Sequence, residues 1–155
     1  MNVITQGVGL IAVAALLTPA AIYAQGTHPH YLSARTDLRT AQLLARMQER
    51  PNVALSLEAA DHEMSAAIKE IDEAAVIDRK DVIDQPPIDA KMARLDRFRM
   101  IVDLLRTART DIEQEEGNPR ATEWRDAAIQ HIDGALKSVR KAAVDAQLDR
   151  QLGDF

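Results

Sequence analysis

The chain has 155 residues, a formal net charge of −5 and no cysteine. Its length suits one domain, and the lack of cysteine excludes several kinds of site. Without cysteine there is no disulfide, thiolate metal site, lipid-modified N-terminal cysteine or covalently attached c-type haem. The acidic balance argues against a nucleic-acid partner, because phosphate binding needs clustered Lys and Arg. Hydrophobic residues make up 46% of the chain but aromatic residues only 3%, so we expect a core of Ala, Leu, Ile and Val.

The first 24 residues are typical of a secretory signal peptide. Residues 8–21 are almost wholly apolar, and Ala24 offers a small residue for cleavage. No Lys or Arg precedes the apolar run, which departs from the usual pattern. An uncleaved anchor is the alternative, but it needs about 20 apolar residues and Pro19 weakens it. We therefore expect cleavage after Ala24, export to a bacterial periplasm or beyond the cell, and no stable membrane anchor afterwards.

The rest of the chain predicts four amphipathic helices, because apolar residues recur at steps of three and four. We expect helices over 29–49, from Ser56 or Asp61 to about 78, from about 89 to Gly117, and from Pro119 to about 147, followed by a flexible tail over 148–155. Pro51 should end the first helix, and Asn118 should cap the fourth. The expected core residues are Tyr31, Ala34, Leu38, Ala41, Leu44, Ala45, Met64, Ala67, Ile68, Ile71, Ala74, Ala75, Leu95, Phe98, Val102, Leu105, Ala108, Ile112, Ala128, Ile129, Ile132, Leu136, Val139 and Ala143.

Two helical hairpins, over about 29–78 and 89–147, are separated by the segment Asp84–Asp89 with its two adjacent prolines. The hairpins look like copies of one another. The string Leu-Arg-Thr-Ala at 38–41 recurs 67 residues later at 105–108, and residues 66–74 resemble 127–135, which lie 61 residues later. Chance similarity between two Ala/Leu-rich helices is the alternative to duplication. Four such helices predict an all-α, antiparallel four-helix bundle over residues 25–147.

Four short segments resemble an uncharacterised family of small exported bacterial all-helical proteins. They are His28–Leu32, Asp37–Ala41, Gln85–Asp89 and Glu115–Pro119. The resemblance covers nearly all of the chain after the signal peptide, and Gly117 departs from it by standing where Asn or Asp would be expected. Since that family has no assigned activity, the resemblance implies export and an all-helical fold but supplies no catalytic residues.

Two histidines near the start of the exported chain are candidate metal ligands. His28 and His30 flank Pro29, and two imidazoles could hold Cu²⁺ or Zn²⁺. Two ligands alone make an incomplete site, however, and the same residues suit the start of a helix with Pro29 in its first turn.

A group of carboxylates near the end of the third helix is a second candidate metal site. It comprises Asp111, Glu113, Glu115 and Glu116. The C-terminal end of a helix carries partial negative charge and disfavours anions, so this arrangement breaks a rule of helix stability. Clustered carboxylates are also the oxygen ligands that Ca²⁺ prefers. The alternative is that Arg109 and Arg120 offset the carboxylates by ordinary ion pairing.

The remaining chemistry argues against an enzyme. Neither His62 nor His131 belongs to a Glu-x-x-His motif, which a di-iron carboxylate bundle requires, and the expected buried faces are too apolar to line a hydrolytic pocket. We expect a non-catalytic binding or interaction module without a cofactor, whose partner is an unknown protein or a second copy. The alternative is a periplasmic bundle that binds a b-type haem or a divalent cation. The available haem ligands are Met47, Met64, Met92, Met100, His62 and His131.

Overall fold

A computed structural model of the chain describes residues 29–77, 91–115, 118–148 and 151. These residues form α1 (Pro29–Ala45), α2 (Pro51–Ile77), α3 (Arg94–Gln114) and α4 (Thr122–Asp145), with a 3₁₀ turn over Pro119–Ala121. Within these ranges there is no strand, and the predicted all-α four-helix bundle is confirmed. The expected signal peptide and the segment 84–89 lie outside the described residues. None of the described helices is long and apolar enough to cross a membrane.

The turn between α1 and α2 differs from the expectation. α1 ends at Ala45 and α2 begins at Pro51, so this proline starts a helix rather than only ending one. The first helical position has no backbone bond to lose, and the fixed φ of proline suits it. Ser56, expected as a cap, is buried inside α2 and its hydroxyl lies 3.1 Å from the Asp145 carboxylate of α4.

α3 begins at Arg94, later than the position near 89 that we expected. The turn between α3 and α4 agrees better with the sequence. The Asn118 side chain accepts a hydrogen bond of 3.0 Å from the backbone N–H of Arg120. Asn118 is thus a cap, but it caps the 3₁₀ turn that precedes α4 and not α4 itself, whose N-cap Ala121 makes no side-chain capping bond. Pro119 follows as the first residue of the 3₁₀ turn.

Every pair of neighbouring helices in the bundle is antiparallel. α1 contacts α2 and α3, and α4 contacts α2 and α3. The start of α1 meets the end of α3 through His30 and Asp111, and the start of α2 meets the end of α4 through Ser56 and Asp145. α2 and α3 therefore lie on a diagonal and run in the same direction, so the end of α2 and the start of α3 lie at opposite ends of the bundle. The closest packing is between the hairpins, α1 on α3 and α2 on α4.

The core follows a heptad pattern on all four helices. Buried residues alternate in steps of three and four, which is the spacing of knobs-into-holes packing in antiparallel bundles. The positions on this pattern are Tyr31, Ala34, Leu38, Ala41, Ala45, Val53, Leu57, Ala60, Met64, Ala67, Ile71, Ala74, Phe98, Ile101, Leu105, Ala108, Ile112, Ala128, Ile132, Ala135, Val139, Ala142 and Ala146. From Ala60 onward in α2 and from Ala128 onward in α4, alanine stands at every other heptad position. Such small side chains allow these two helices to approach closely.

Most of the expected core residues are buried, and the exceptions lie beside the heptad stripe. The expected residues that are only half-buried are Ile68, Leu95, Ile129 and Leu136. Their positions fit a broad amphipathic face, whereas the bundle buries the narrower stripe that a period of 3.5 residues produces. The sequence analysis also overlooked Val53 and Leu57, because it placed the start of α2 too late.

The two hairpins bury equivalent positions. Leu38 and Leu105 are both buried, as are Ile71 and Ile132, which fits the proposed duplication. One difference between the copies has a structural reason at Gly134. A Cβ there would lie 2.9 Å from the side-chain carboxyl carbon of Glu63, so the glycine leaves room for a carboxylate from α2.

Candidate functional site

Charged side chains interrupt the apolar packing between α1 and α3 at three places. We call this line of contact the α1–α3 seam: it runs from His30 and Asp111 at one end, past Asp37, to Glu49 and Arg97 at the other end. The antiparallel packing of the two helices aligns these groups, because the start of one helix meets the end of the other.

The first end of the seam brings together one residue from each group of candidate metal ligands. His30 Nδ1 lies 3.3 Å from Asp111 Oδ1, and the Asp111 side chain is only 16% exposed. Its other oxygen, Oδ2, is buried and has no hydrogen-bond partner within the described part of the chain. The structure thus turns two separate sequence candidates into one polar contact between helices.

Another carboxylate of the acidic group has a different partner. Glu113 forms an ion pair with Arg109, which is the offset that the sequence suggested as the alternative. The Arg109 Nε also lies 2.8 Å from Asp133 Oδ1 of α4, and this hydrogen bond, outweighing the effect of burial, raises the pKa of Arg109.

Glu115 is buried because it falls three residues after Ile112, at the next position of the α3 heptad pattern. Glu116 and His28 lie outside the described residues. In the described ranges no group of three or more His, Asp or Glu side chains is placed to hold a metal ion.

The middle of the seam contains an acidic groove of about 420 Å³. Asp37 of α1 lines one side, and Asp96, Arg99, Met100 and Asp103 are among the α3 residues on the other. Burial raises the pKa of Asp37 to about 6, and the charge of Asp111 acts in the same direction. With this pKa, Asp37 is mostly ionised at neutral pH and becomes protonated as the pH falls through about 6.

The second end of the seam is an ion triad in which the side chains of Glu49 and Arg97 are buried and that of Arg94 is partly exposed. Arg94 of α3 donates two hydrogen bonds to the Glu49 carboxylate, at 2.8 and 2.6 Å, and Arg97 binds the same carboxylate. The side chains of Glu49 and Arg97 are 5% and 6% exposed. Burial by itself would raise the pKa of Glu49, but the hydrogen bond from Arg94 and the charges of both arginines outweigh it and lower the pKa.

A cavity of about 420 Å³ adjoins this triad. Its lining residues are Gln48, Glu49, Arg50, Met92, Arg94 and Arg97. The described lining residues thus include three arginines and one glutamate, a composition that suits an anion.

The basic end of the seam was not predicted from the sequence, although the positions of two arginines indicated it. Arg94 and Arg97 lie in the first turns of α3, where the helix dipole is positive and disfavours cations. This is the same rule that drew attention to the carboxylates at the other end of the helix. Only the fold shows that Glu49, from the turn after α1, lies between the two arginines.

The candidate haem ligands lie in different surroundings in the bundle. Met64 is fully buried at a heptad position of α2, whereas His62 is exposed. His131 Nδ1 lies 2.8 Å from Glu63 Oε2. Met47 is half-buried, Met92 lines the arginine cavity, and Met100 lines the acidic groove.

The chain was also compared with known proteins. No family model, curated protein or solved structure matches it. Its function is therefore inferred from the geometry and charge of the α1–α3 seam.

Proposed function

We propose that the chain is an exported, non-catalytic helical binding module that engages its partner along the α1–α3 seam. The observation that supports this most directly is the pair of openings on the seam, each of about 420 Å³ and of opposite charge character. The α2–α4 interface, by contrast, is filled with alanine at alternate core positions. A surface with adjacent acidic and basic openings suits electrostatic recognition of another protein.

The charged groups of the seam are arranged for binding rather than for chemistry. Glu49 is held by two arginines, and Glu113 is held by Arg109. Asp37 has a pKa in the range of a general base, but none of the described residues that line its groove is a histidine, and nucleophilic hydrolysis needs one in position. We therefore propose no catalytic role for these residues.

The partner is an unknown protein or a second copy of the chain. Either needs basic groups for the acidic groove and acidic groups for the arginine cavity. A second copy in the inverted orientation would supply both, because a two-fold axis across the seam places the basic end of one copy against the acidic part of the other.

The experiment is site-specific photo-crosslinking in the native host. A photoreactive residue is placed at Arg99 or Thr107, which are both exposed and line the acidic groove. Matched controls carry it at the exposed positions Glu73 of α2 and Lys137 of α4. We expect adducts from the seam positions only, and their mass distinguishes another protein from a second copy. Equal adducts from all four positions, or none from the seam, would contradict the proposal.

The same preparation tests export and the cofactor alternative. Intact mass spectrometry should show a chain that begins at Gln25, whereas retention of residues 1–24 would contradict cleavage.

Visible absorbance and metal analysis of the purified protein address the alternative function. A Soret band, or a divalent metal at one equivalent per chain, would favour a cofactor-binding or metal-binding bundle.

A further inference from the structure

We propose that the arginine cavity between the end of α1 and the start of α3 is an oxyanion site that binds a carboxylate or phosphate group of a ligand. This proposal rests on the proposed binding function and deepens it, because it names the chemistry recognised at one end of the seam. Carboxylate and phosphate share the feature that matters here, which is two or more oxygens that guanidinium groups can bind side by side.

The first observation is an excess of basic residues around the cavity. The described lining residues include three arginines, Arg50, Arg94 and Arg97, and one acidic residue, Glu49. Two of these arginines already share Glu49. The Arg97 side chain is withdrawn from water, which is costly for a charge unless it is paired, and an anion in the cavity would give these cations a further partner.

The second observation is an unpartnered donor on a buried cation. The Arg97 side chain is 6% exposed, and its Nε is buried without a hydrogen-bond partner among the residues that the structure describes. Buried polar atoms in folded proteins are nearly always hydrogen-bonded, so an orphaned guanidinium N–H beside a cavity indicates a place for an acceptor. Arg97 lines this cavity.

The third observation is the position of the cavity at the positive end of a 21-residue helix. Ala93 precedes α3 and makes no side-chain capping bond to it. Two arginines at this end add to the positive potential of the helix dipole instead of opposing it. Asp96, the acidic residue of the first turn, lies 3.5 Å from Arg99 and lines the acidic groove rather than the arginine cavity.

A purely structural triad is the competing explanation. An ion triad that only fixes the register of α1 on α3 needs Glu49, Arg94 and Arg97, together with the backbone N–H of Arg50, which lies 3.4 Å from Glu49 Oε2. It has no use for the Arg50 side chain. This residue is exposed and is one of the lining residues of the cavity. Arg50 therefore separates the two explanations, and its replacement leaves the triad intact.

The experiment is calorimetric titration of the purified protein with sodium phosphate and, separately, with sodium succinate. Sodium chloride at matched ionic strength is the reference, and thermal melts are recorded in parallel. We expect saturable binding and a raised Tm with at least one oxyanion, and the stronger arm identifies phosphate or carboxylate as the preferred group. Arg50→Gln should weaken binding by about fivefold, the effect of losing about 1 kcal/mol. Arg97→Met should abolish it.

Arg106→Gln is the matched control, because Arg106 is exposed on the same helix and does not line the cavity. It should bind as the parent does. A response that chloride reproduces, or an equal loss in the Arg106 and Arg50 variants, would overturn the oxyanion site. If Arg97→Met does not fold, the Arg50 variant decides. The titration needs no partner protein, so its failure would leave the crosslinking result untouched, and the reverse also holds.

Discussion

His30 and Asp111 stand 81 residues apart in the chain, yet His30 Nδ1 lies 3.3 Å from Asp111 Oδ1. The contact joins the first turn of α1 to the last turn of α3, and it shows that the two helices are antiparallel. It also changes the interpretation of both candidate metal sites, because each gives one residue to a contact between helices.

Two carboxylates of the acidic group already have other partners, so we expect no response to calcium. Ca²⁺ takes about six to eight oxygen ligands, whereas Asp111 contacts His30 and Glu113 contacts Arg109. We expect that adding Ca²⁺ leaves the Tm of the purified protein unchanged in a calorimetric melt. A saturable rise in Tm that disappears in Glu113→Gln would contradict this and restore the acidic site.

Asp37→Asn should stabilise the protein at neutral pH. The pKa of Asp37 is raised from 3.8 to about 6 in the fold, so the folded protein holds this proton more tightly than the unfolded chain. The resulting stabilisation is complete below pH 3.8 and is lost as the pH rises through about 6. At pH 7.5 the ionised carboxylate is therefore unfavourable. We expect the variant to gain about 1 kcal/mol there, less than the full shift implies, because solvent screens a half-buried group.

Urea melts of parent and variant at pH 4.5 and pH 7.5 provide the measurement. The advantage of Asp37→Asn should shrink markedly at the lower pH. Asp103→Asn, which removes an exposed carboxylate from the same groove, controls for the change in net charge. If both variants gain equally at pH 7.5, the effect comes from net charge and not from the position of Asp37 in the seam.

Glu49→Gln should be strongly destabilising. The change leaves Arg94 and Arg97 without their shared carboxylate, and breaking one side of a buried ion pair typically costs about 3–5 kcal/mol. Because the pKa of Glu49 is lowered below 4.5 in the fold, its stabilising contribution is present above that pH and is lost as the pH falls below it. Denaturant melts at pH 7 measure the effect.

The double variant Glu49→Gln with Arg97→Met tests the cause. Removing the buried cation together with its partner should recover part of the lost stability, since an apolar side chain replaces an uncompensated charge. No recovery in the double variant would mean that Glu49 acts through some contact other than Arg97.

Truncation of Leu105 or Ile132 to Ala should destabilise the bundle by about 2–5 kcal/mol, because both side chains are fully buried. Thermal melts measure the loss. Leu104→Ala is the matched control, since Leu104 adjoins Leu105 in the chain but is only half-buried, and it should cost clearly less. Similar losses at Leu104 and Leu105 would contradict the heptad register assigned to α3.

Local sequence signals predicted the helices and most of the core, but they misplaced one turn. The sequence predicts that Pro51 ends the first helix, whereas in the structure this residue begins α2. The same residue type serves both purposes, because proline cannot continue a helix yet fits its first position. The surroundings of Pro51 in the fold decide between these roles. Residues 46–50 form a turn that is long enough to reverse the chain before α2 begins at Pro51.

By itself, the sequence determined the helical class, the four amphipathic segments and the Asn118 cap, because these depend on residues within a few positions of one another. The tertiary structure decided which helices are neighbours, and hence that Glu49 lies between Arg94 and Arg97 and that His30 meets Asp111. Hydrophobic periodicity tells each helix which face to bury but not which partner to bury it against. The α1–α3 seam arises only when packing selects that partner and its register.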